Sequence, residues 1–267
     1  MRTVPDIVYA ERQGTPLALD LYLPEGPATA TVFHAHGGGF FKGGRKGERT
    51  TRFAKMLTAE GLAMAAVSYS LGTPMQEFTP SIRQQIKNNR RRSQNEGLTL
   101  ANRLMGSAYE AARQDIGAAM DHMRDIGQQF EIKSKKQAVI GISAGGIAGL
   151  SLAFPPSNMP TCARPDVVIA LGAALLHPWA LSQTGPQCLM IHSHYDRVIA
   201  PSNASLAGQA AQDTKAPLTV LTCARKGHNA PAQALLDDDA PDGTSYWSVM
   251  LDLFRDAGLF SPSRADV

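Results

Sequence analysis

The clearest structural signal in the chain is the motif Gly141-Ile142-Ser143-Ala144-Gly145-Gly146. It follows an apolar run at 138–140 and precedes a run rich in small residues at 147–154, a pattern typical of a strand, a sharp turn and a helix. Glycines on either side of the serine allow a tight turn without clashes of Cβ atoms. We therefore expect the Ser143 hydroxyl to project beyond the strand end, with the N–H of Ala144 facing the same space.

Strand patterns alternate with helix patterns on both sides of this turn. Strands are predicted at 31–36, 62–69, 137–140, 166–171, 187–193 and 218–223, and helices near 47–59, 108–127, 143–154, 202–212 and 246–257. Two apolar segments at 7–9 and 17–23 predict an antiparallel pair of strands at the N terminus. The alternation predicts an α/β fold with a mostly parallel sheet and helices on both faces. In open sheets of this kind, ligands bind at the carboxyl ends of the strands.

Length and composition favour one globular domain spanning residues 1–267. Hydrophobic residues make up 43% of the chain and charged residues 18%, which is typical of a soluble protein and not of a disordered one. The formal net charge of +3 is too small to indicate a nucleic-acid partner. No apolar run approaches the roughly 20 residues that a membrane-spanning helix needs.

The N terminus and the cysteines bear on the cellular compartment. Residues 1–6 lack the apolar core of a signal peptide. Cys162, Cys188 and Cys223 are odd in number and lack the spacing of metal ligands, which favours reduced thiols in a cytoplasmic protein. A secreted protein with one disulfide is the alternative, and export stays open if the chain has been trimmed at its N terminus.

One polar, helix-compatible stretch at residues 76–105 interrupts the alternation, and we call it the basic segment. It contains six basic residues and two acidic ones. One interpretation is a solvated pair of helices on the surface. The other is a lid over the strand ends that favours anionic substrates or a partner.

A second motif, His36-Gly37-Gly38-Gly39-Phe40, follows the predicted strand at 31–36. Consecutive glycines permit backbone conformations in which several N–H groups point toward one ligand. With the N–H of Ala144, those of Gly38 and Gly39 can hold a developing oxyanion. A flexible glycine-rich turn is the alternative, but the serine turn later in the chain favours the oxyanion interpretation. Phe40 and Phe41 either pack beneath this loop or contact a ligand.

A serine hydroxyl needs a general base to act as a nucleophile near neutral pH. Of the seven histidines, His228 is the best candidate, because it lies in a short loop after the strand at 218–223. His192 and His194 have a spacing that also occurs in metal sites, yet no further ligands accompany them, so local packing or hydrogen bonding is the favoured interpretation.

Asp196 follows the strand that precedes the histidine strand, where an orienting carboxylate is expected. Its role would be to select the tautomer of His228 and to stabilise the imidazolium. A local capping role is the alternative. The chain order Ser143, Asp196, His228 is the order found in α/β-hydrolases.

Together with these motifs, Leu19-Asp20-Leu21-Tyr22-Leu23-Pro24, Ser68-Tyr69-Ser70-Leu71 and Asp115 make the chain resemble an α/β-hydrolase of the HGGG-bearing carboxylesterase group. This group includes feruloyl-esterase-like and kynurenine-formamidase-like enzymes. The resemblance implies an α/β-hydrolase fold and hydrolysis of a small-molecule carboxylic ester through an acyl-enzyme. It also implies that no cofactor and no metal take part.

The chain departs from this group in two places. The basic segment is longer than usual, and Ser70 stands where an arginine is common. An arylformamidase or a small-peptide amidase would use the same triad, and a ligand-binding receptor on this fold is an alternative of another class. The acyl and alcohol specificity is undetermined, and homo-oligomerisation stays open.

Overall fold

A computed structural model describes residues 1–260, and residues 261–267 of the predicted domain lie outside the described part. The strands are β1 (Arg2–Arg12), β2 (Thr15–Leu23), β3 (Thr31–Ala35), β4 (Ala63–Val67), β5 (Gln137–Ile142), β6 (Val167–Leu171), β7 (Gln187–Ser193) and β8 (Leu218–Cys223). The α-helices are α1 (Glu48–Ala59), α2 (Pro80–Asn95), α3 (Ser107–Ile126), α4 (Ala144–Ala153), α5 (Ser202–Thr214), α6 (Ala230–Asp237) and α7 (Tyr246–Asp256).

The eight strands form one sheet in the order β1-β2-β4-β3-β5-β6-β7-β8. Strand β2 runs antiparallel to β1 and β4, and the other neighbouring pairs are parallel. The predicted mostly parallel sheet with an antiparallel N-terminal pair is therefore confirmed. In the centre of the sheet, Ala35 of β3 is the register partner of Gly141 of β5. This register brings the glycine motif and the serine turn to the same edge of the sheet.

Helices cover both faces of the sheet and enclose two hydrophobic clusters. One face buries Phe53 and Leu57 of α1 with Phe254 of α7. On the other face every residue of α4 is buried between the sheet and α3. The small residues of α4 let it lie close to β5, because bulky side chains there would hold the helix away from the sheet. The helix that follows Ser143 is therefore held firmly in the core.

Two elements differ from the sequence-based expectation. Helix α6 was not predicted, although Asn229 at its start, Pro231 in its first turn and the helix-forming residues at 232–236 favour a helix. Its buried residues, Leu235 among them, pack into the core, so tertiary contacts stabilise this short helix. Strand β1 is longer than predicted, because irregular pairing between Val4 and Ile7 breaks the apolar alternation.

The basic segment folds as one helix, not as a pair. Helix α2 is flanked by two short 3-10 turns, Met75–Glu77 and Asn102–Met105. The side chain of Thr79 accepts a hydrogen bond from the N–H of Ile82, and Pro80 follows at the first helical position, so the start of α2 is capped.

The structure also bears on the cysteines and on membrane insertion. All three cysteines lie within the described residues and are free thiols. Between residues 1 and 260, no helix has both the length and the apolar character needed to span a membrane.

Candidate active site

Ser143 occupies the turn between β5 and α4 in a left-handed backbone conformation, with φ 51° and ψ −112°. A non-glycine residue adopts this region at an energetic cost, and such strain is common at functional sites. The turn passes so close to β3 that a Cβ atom on Gly145 would collide with the carbonyl oxygen of Ala35. Only glycine fits there, because the first turn of α4 lies directly against the end of β3.

The structure brings the three predicted triad residues into one chain of hydrogen bonds. Ser143 Oγ lies 2.8 Å from His228 Nε2, and His228 Nδ1 lies 2.7 Å from Asp196 Oδ2. In the tautomer with the proton on Nδ1, His228 donates to Asp196 and accepts from the Ser143 hydroxyl. The residues are 85 and 32 positions apart in sequence, so the sheet alone brings them together.

The Asp196 carboxylate is buried, and both of its oxygens accept hydrogen bonds. Its Oδ1 accepts hydrogen bonds from the N–H groups of Val198 at 2.8 Å and Ile199 at 3.0 Å. Burial by itself would raise the pKa of the Asp196 carboxyl. The hydrogen bonds from His228, Ile199 and Val198 outweigh burial and lower the pKa below its usual value. Asp196 is therefore an anion beside His228 at neutral pH.

His192 is a second histidine at the aspartate, and its position was not anticipated from the sequence. Its Nε2 lies 3.0 Å from the carbonyl oxygen of Ile199 and 3.6 Å from Asp196 Oδ2. Burial lowers the pKa of His192, which favours the neutral ring with Nε2–H donating to Ile199. His194, by contrast, lies exposed beyond the end of β7. Among residues 1–260, no three His, Cys, Asp or Glu side chains are grouped to hold a metal ion.

The glycine loop, residues 36–40, presents free N–H groups beside the serine. Gly38 has φ 120°, and a Cβ there would collide with the carbonyl of Lys42, so only glycine is accommodated. The N–H groups of Gly38, Gly39 and Ala144 donate to no acceptor within residues 1–260. A Cβ on Gly37 would lie 3.5 Å from Ser143 Cβ, which places the loop directly against the turn.

Aromatic side chains hold the glycine loop from below. The Tyr69 hydroxyl donates to the carbonyl oxygen of His36 at 2.6 Å, and the two rings stack with centroids 4.2 Å apart. Phe40 is fully buried against Tyr69 and Tyr109, whereas Phe41 is 48% exposed. Of the two predicted alternatives, packing beneath the loop applies to Phe40, and Phe41 is left at the surface.

Arg12 is another residue whose position sequence reasoning missed. Its guanidinium donates two hydrogen bonds to Asp115 Oδ1, at 2.8 and 3.1 Å, and the N–H of Ser70 donates to Asp115 Oδ2 at 2.8 Å. Ser70 stands where an arginine is common in the group that the chain resembles. Here the cation that pairs with Asp115 comes from β1.

Buried and half-buried hydrogen bonds tie the basic segment to loops and helices of the domain. Ser93 Oγ donates to the carbonyl oxygen of Leu176, in the loop after β6, at 2.7 Å. Asn89 and Asn158 exchange two side-chain hydrogen bonds, and the Asn203 side chain bonds both backbone groups of Thr99. These hydrogen bonds fix the middle and the C-terminal part of the segment to the body of the domain.

A groove of about 710 Å³ lies at the other edge of the sheet, away from the triad. Thr31 and Gln137, the first residues of β3 and β5, line it together with Lys133 and Lys135. In open parallel sheets the ligand site lies at the carboxyl ends of the strands. The size of a groove is therefore a poor guide to the site in this protein, and the hydrogen-bond geometry is a better one.

No protein-family model matches the chain, and no curated protein matches it. Its structure is similar to a truncated carbohydrate esterase from gut microbiota, with a TM-score of 0.69, 15% identity and 97% of each chain covered. It is also similar to esterase 2 of Thermogutta terrifontis, with a TM-score of 0.67 and 13% identity over 97% of this chain and 94% of the other. A bifunctional GH43-CE protein of Bacteroides eggerthii gives a TM-score of 0.67 and 14% identity, over 96% of this chain and 35% of the other. The chain shares the fold of these esterases.

Proposed function

We propose that the protein is a serine carboxylesterase of the α/β-hydrolase fold that hydrolyses small to medium esters through an acyl-enzyme. The observation that carries the proposal is the pair of hydrogen bonds, 2.8 and 2.7 Å long, linking Ser143, His228 and Asp196. This arrangement is that of a nucleophile, a general base and an orienting carboxylate. Residues 1–267 then form one catalytic domain.

Acylation begins with attack of Ser143 Oγ on the ester carbonyl carbon. The hydroxyl proton moves to His228 Nε2 as the Oγ–carbon bond forms, and the carbonyl oxygen becomes an oxyanion. When the bond from carbon to the alcohol oxygen breaks, His228 returns the proton to the leaving alkoxide. The products of this half-reaction are a free alcohol and an acyl group on Ser143.

The oxyanion would be held by the N–H groups of Gly38, Gly39 and Ala144. They have no protein acceptor within the described residues, so they need not break an existing hydrogen bond to receive the developing charge. Preorganised donors of this kind stabilise a transition state without reorganisation, and loss of one typically costs about 10²–10³ in turnover.

Deacylation uses the same groups with water in place of the alcohol. His228 accepts a proton from water as the water oxygen attacks the acyl carbon. The Oγ–carbon bond then breaks, the carboxylic acid leaves, and the proton returns to Ser143. The anionic Asp196 stabilises the imidazolium form of His228 in both half-reactions.

The solved neighbours support this chemistry by analogy. Esterase 2 of Thermogutta terrifontis has been solved after phosphorylation by paraoxon and with propionate bound. A short carboxylate bound to a protein of the same fold is in keeping with an ester of a small acid as substrate. The arrangement of Ser143 and His228 is also one in which an organophosphate would be expected to modify Ser143.

The basic segment would act as a fixed cover of the site and not as a swinging lid. Ser93, Asn89 and Thr99 tie it to loops and helices of the domain through buried or half-buried hydrogen bonds. Opening would break these bonds and expose Ile86, which is packed against Ala111 of α3. Substrates would then enter past the exposed rim of the cover.

The test is hydrolysis of p-nitrophenyl esters, from acetate to long acyl chains, by the wild type and by Ser143→Ala. We expect the wild type to prefer short to medium chains and the variant to lose about 10⁴-fold or more in kcat, because the nucleophile is absent. Unchanged thermal unfolding of the variant would show that the fold is intact. Turnover retained in Ser143→Ala would overturn the proposal.

An arylformamide assayed in parallel separates the ester from the amide interpretation. Ester turnover that exceeds formamide turnover at matched size supports the esterase. Serine-dependent turnover of the formamide alone would replace it with the arylformamidase alternative on the same triad.

A further inference from the structure

We propose that Arg103 binds a carboxylate on the substrate, so that the favoured substrates are esters bearing a negative charge near the scissile bond. The inference rests on the proposed esterase function and adds the substrate class to it. It assigns a specificity-determining role to one of the six basic residues of the basic segment.

Arg103 lies beside the glycine loop. A Cβ atom placed on Gly39 would lie only 3.6 Å from Arg103 Nη1, and 3.5 Å from the side chain of Leu104. The guanidinium carbon also lies 6.0 Å from the centre of the Phe41 ring. Since the N–H of Gly39 is a proposed oxyanion donor, the guanidinium stands next to the position of the ester carbonyl.

The charge of Arg103 is free to meet a ligand. Among residues 1–260, no carboxylate lies within 4.0 Å of its guanidinium, and the guanidinium makes no hydrogen bond. Two other arginines of the segment are engaged: Arg83 donates to backbone carbonyls, and Arg92 pairs with Glu96 and lies over the Trp179 ring. Arg103 therefore combines proximity to the site with an unused charge.

The backbone that carries Arg103 is fixed. Its neighbours Leu104 and Met105 are 5% and 3% exposed and pack in the main core, and the N–H of Leu104 donates to the carbonyl oxygen of Ala101 at 2.9 Å. The exposed ring of Phe41 gives the guanidinium a face to lie against. A fixed backbone that carries an exposed guanidinium is suited to bind a ligand that enters from solvent.

Arginine is the side chain best suited to bind a carboxylate, because its planar fork can donate two hydrogen bonds. An ester carbonyl held by Gly39 would place a carboxylate a few bonds along the substrate within reach of Nη1. The carboxylate can belong to the acyl part or to the alcohol part, and both carry the same chemistry. Because the site is exposed, we expect an effect of about tenfold on kcat/KM.

The experiment compares Arg103→Gln with the wild type on two pairs of substrates. The acyl pair is the p-nitrophenyl half-ester of adipic acid and its terminal amide, which differ in charge but hardly in shape. The alcohol pair is p-acetoxybenzoate and p-acetoxybenzamide. Ser143→Ala gives the background rate for each compound.

We expect Arg103→Gln to lower kcat/KM about tenfold on the anionic member of at least one pair, mainly through KM. The neutral members should change less than twofold. A loss confined to the adipate pair would place the carboxylate in the acyl part, and one confined to the benzoate pair would place it in the alcohol part. Arg103→Lys should retain part of the preference.

Arg91→Gln is the matched control, because Arg91 is an exposed arginine of α2 with no ion pair among the described residues. It should leave both ratios of anionic to neutral turnover unchanged. Equal ratios in the wild type and Arg103→Gln, or an equal loss on neutral and anionic esters, would overturn the inference and leave the esterase proposal standing. Absence of Ser143-dependent turnover on every compound would overturn both.

Discussion

Asp196 and Asp115 are two buried aspartates in similar surroundings, and their partners set them apart. Both are under 5% exposed, and each carboxylate accepts three hydrogen bonds. Two of the donors to Asp196 are backbone N–H groups and the third is the imidazole of His228. Asp115 receives one backbone N–H, from Ser70, and two bonds from the guanidinium of Arg12.

The two partners differ in whether they can exchange a proton near neutral pH. A guanidinium stays protonated throughout the accessible pH range, so Arg12 and Asp115 form a permanent link between β1 and α3. Imidazole as a class exchanges protons near neutral pH, so an aspartate beside it can assist proton transfer. A buried carboxylate whose hydrogen bonds are all satisfied is therefore not by itself a sign of catalysis. Whether it can assist proton transfer depends on the side chain that it contacts.

The largest test of this comparison is Asp196→Asn. The amide keeps an oxygen for Val198 and Ile199 but presents an NH₂ group to His228, which favours the wrong tautomer. We expect kcat on a neutral p-nitrophenyl ester to fall by about 10³–10⁴ with little change in thermal unfolding. Asp213→Asn, on the exposed side of α5, should leave kcat unchanged. A loss below tenfold in Asp196→Asn would mean that another group orients His228.

Asp115→Asn should show the opposite pattern. It leaves the Arg12 guanidinium, 23% exposed, without its charge partner. We expect the free energy of unfolding, measured by urea denaturation, to fall by about 2–3 kcal/mol, with kcat within about threefold of the wild type.

Asp121→Asn on the same helix is the control, because its ion pair with Arg124 is exposed and should contribute under about 1 kcal/mol. If Asp115→Asn lowered kcat as strongly as Asp196→Asn does, the distinction between a structural and a catalytic aspartate would fail.

Substitution of His192 should have the smallest effect, and it tests how Asp196 is held in place. His192→Phe removes the donor to the Ile199 carbonyl and loosens the turn that supplies two N–H groups to Asp196. We expect kcat to fall about tenfold with KM unchanged. His192→Gln, whose amide can still donate, should recover most of the loss. Equal kcat in both variants and the wild type would show that His192 has only a packing role.

Much of the sheet and of the local motifs was predictable from the sequence. The strand before Ser143, the tight turn and the helix after it follow from an apolar run, flanking glycines and small residues, which act over neighbouring positions. Helix α6 was not predicted: it has only eight residues, a helix this short is marginal by itself, and the burial of Leu235 stabilises it.

The alternation of strands and helices, the serine turn, the glycine loop and the chain order of Ser143, Asp196 and His228 can all be read from the amino-acid sequence. Which distant side chains meet follows only from the three-dimensional packing: Arg12 contacts Asp115, and Arg103 lies beside the glycine loop. Local conformation depends mainly on adjacent residues, so a short stretch of sequence predicts it. A contact across 60 or 100 positions depends on strand order and packing, and no single stretch of sequence encodes these.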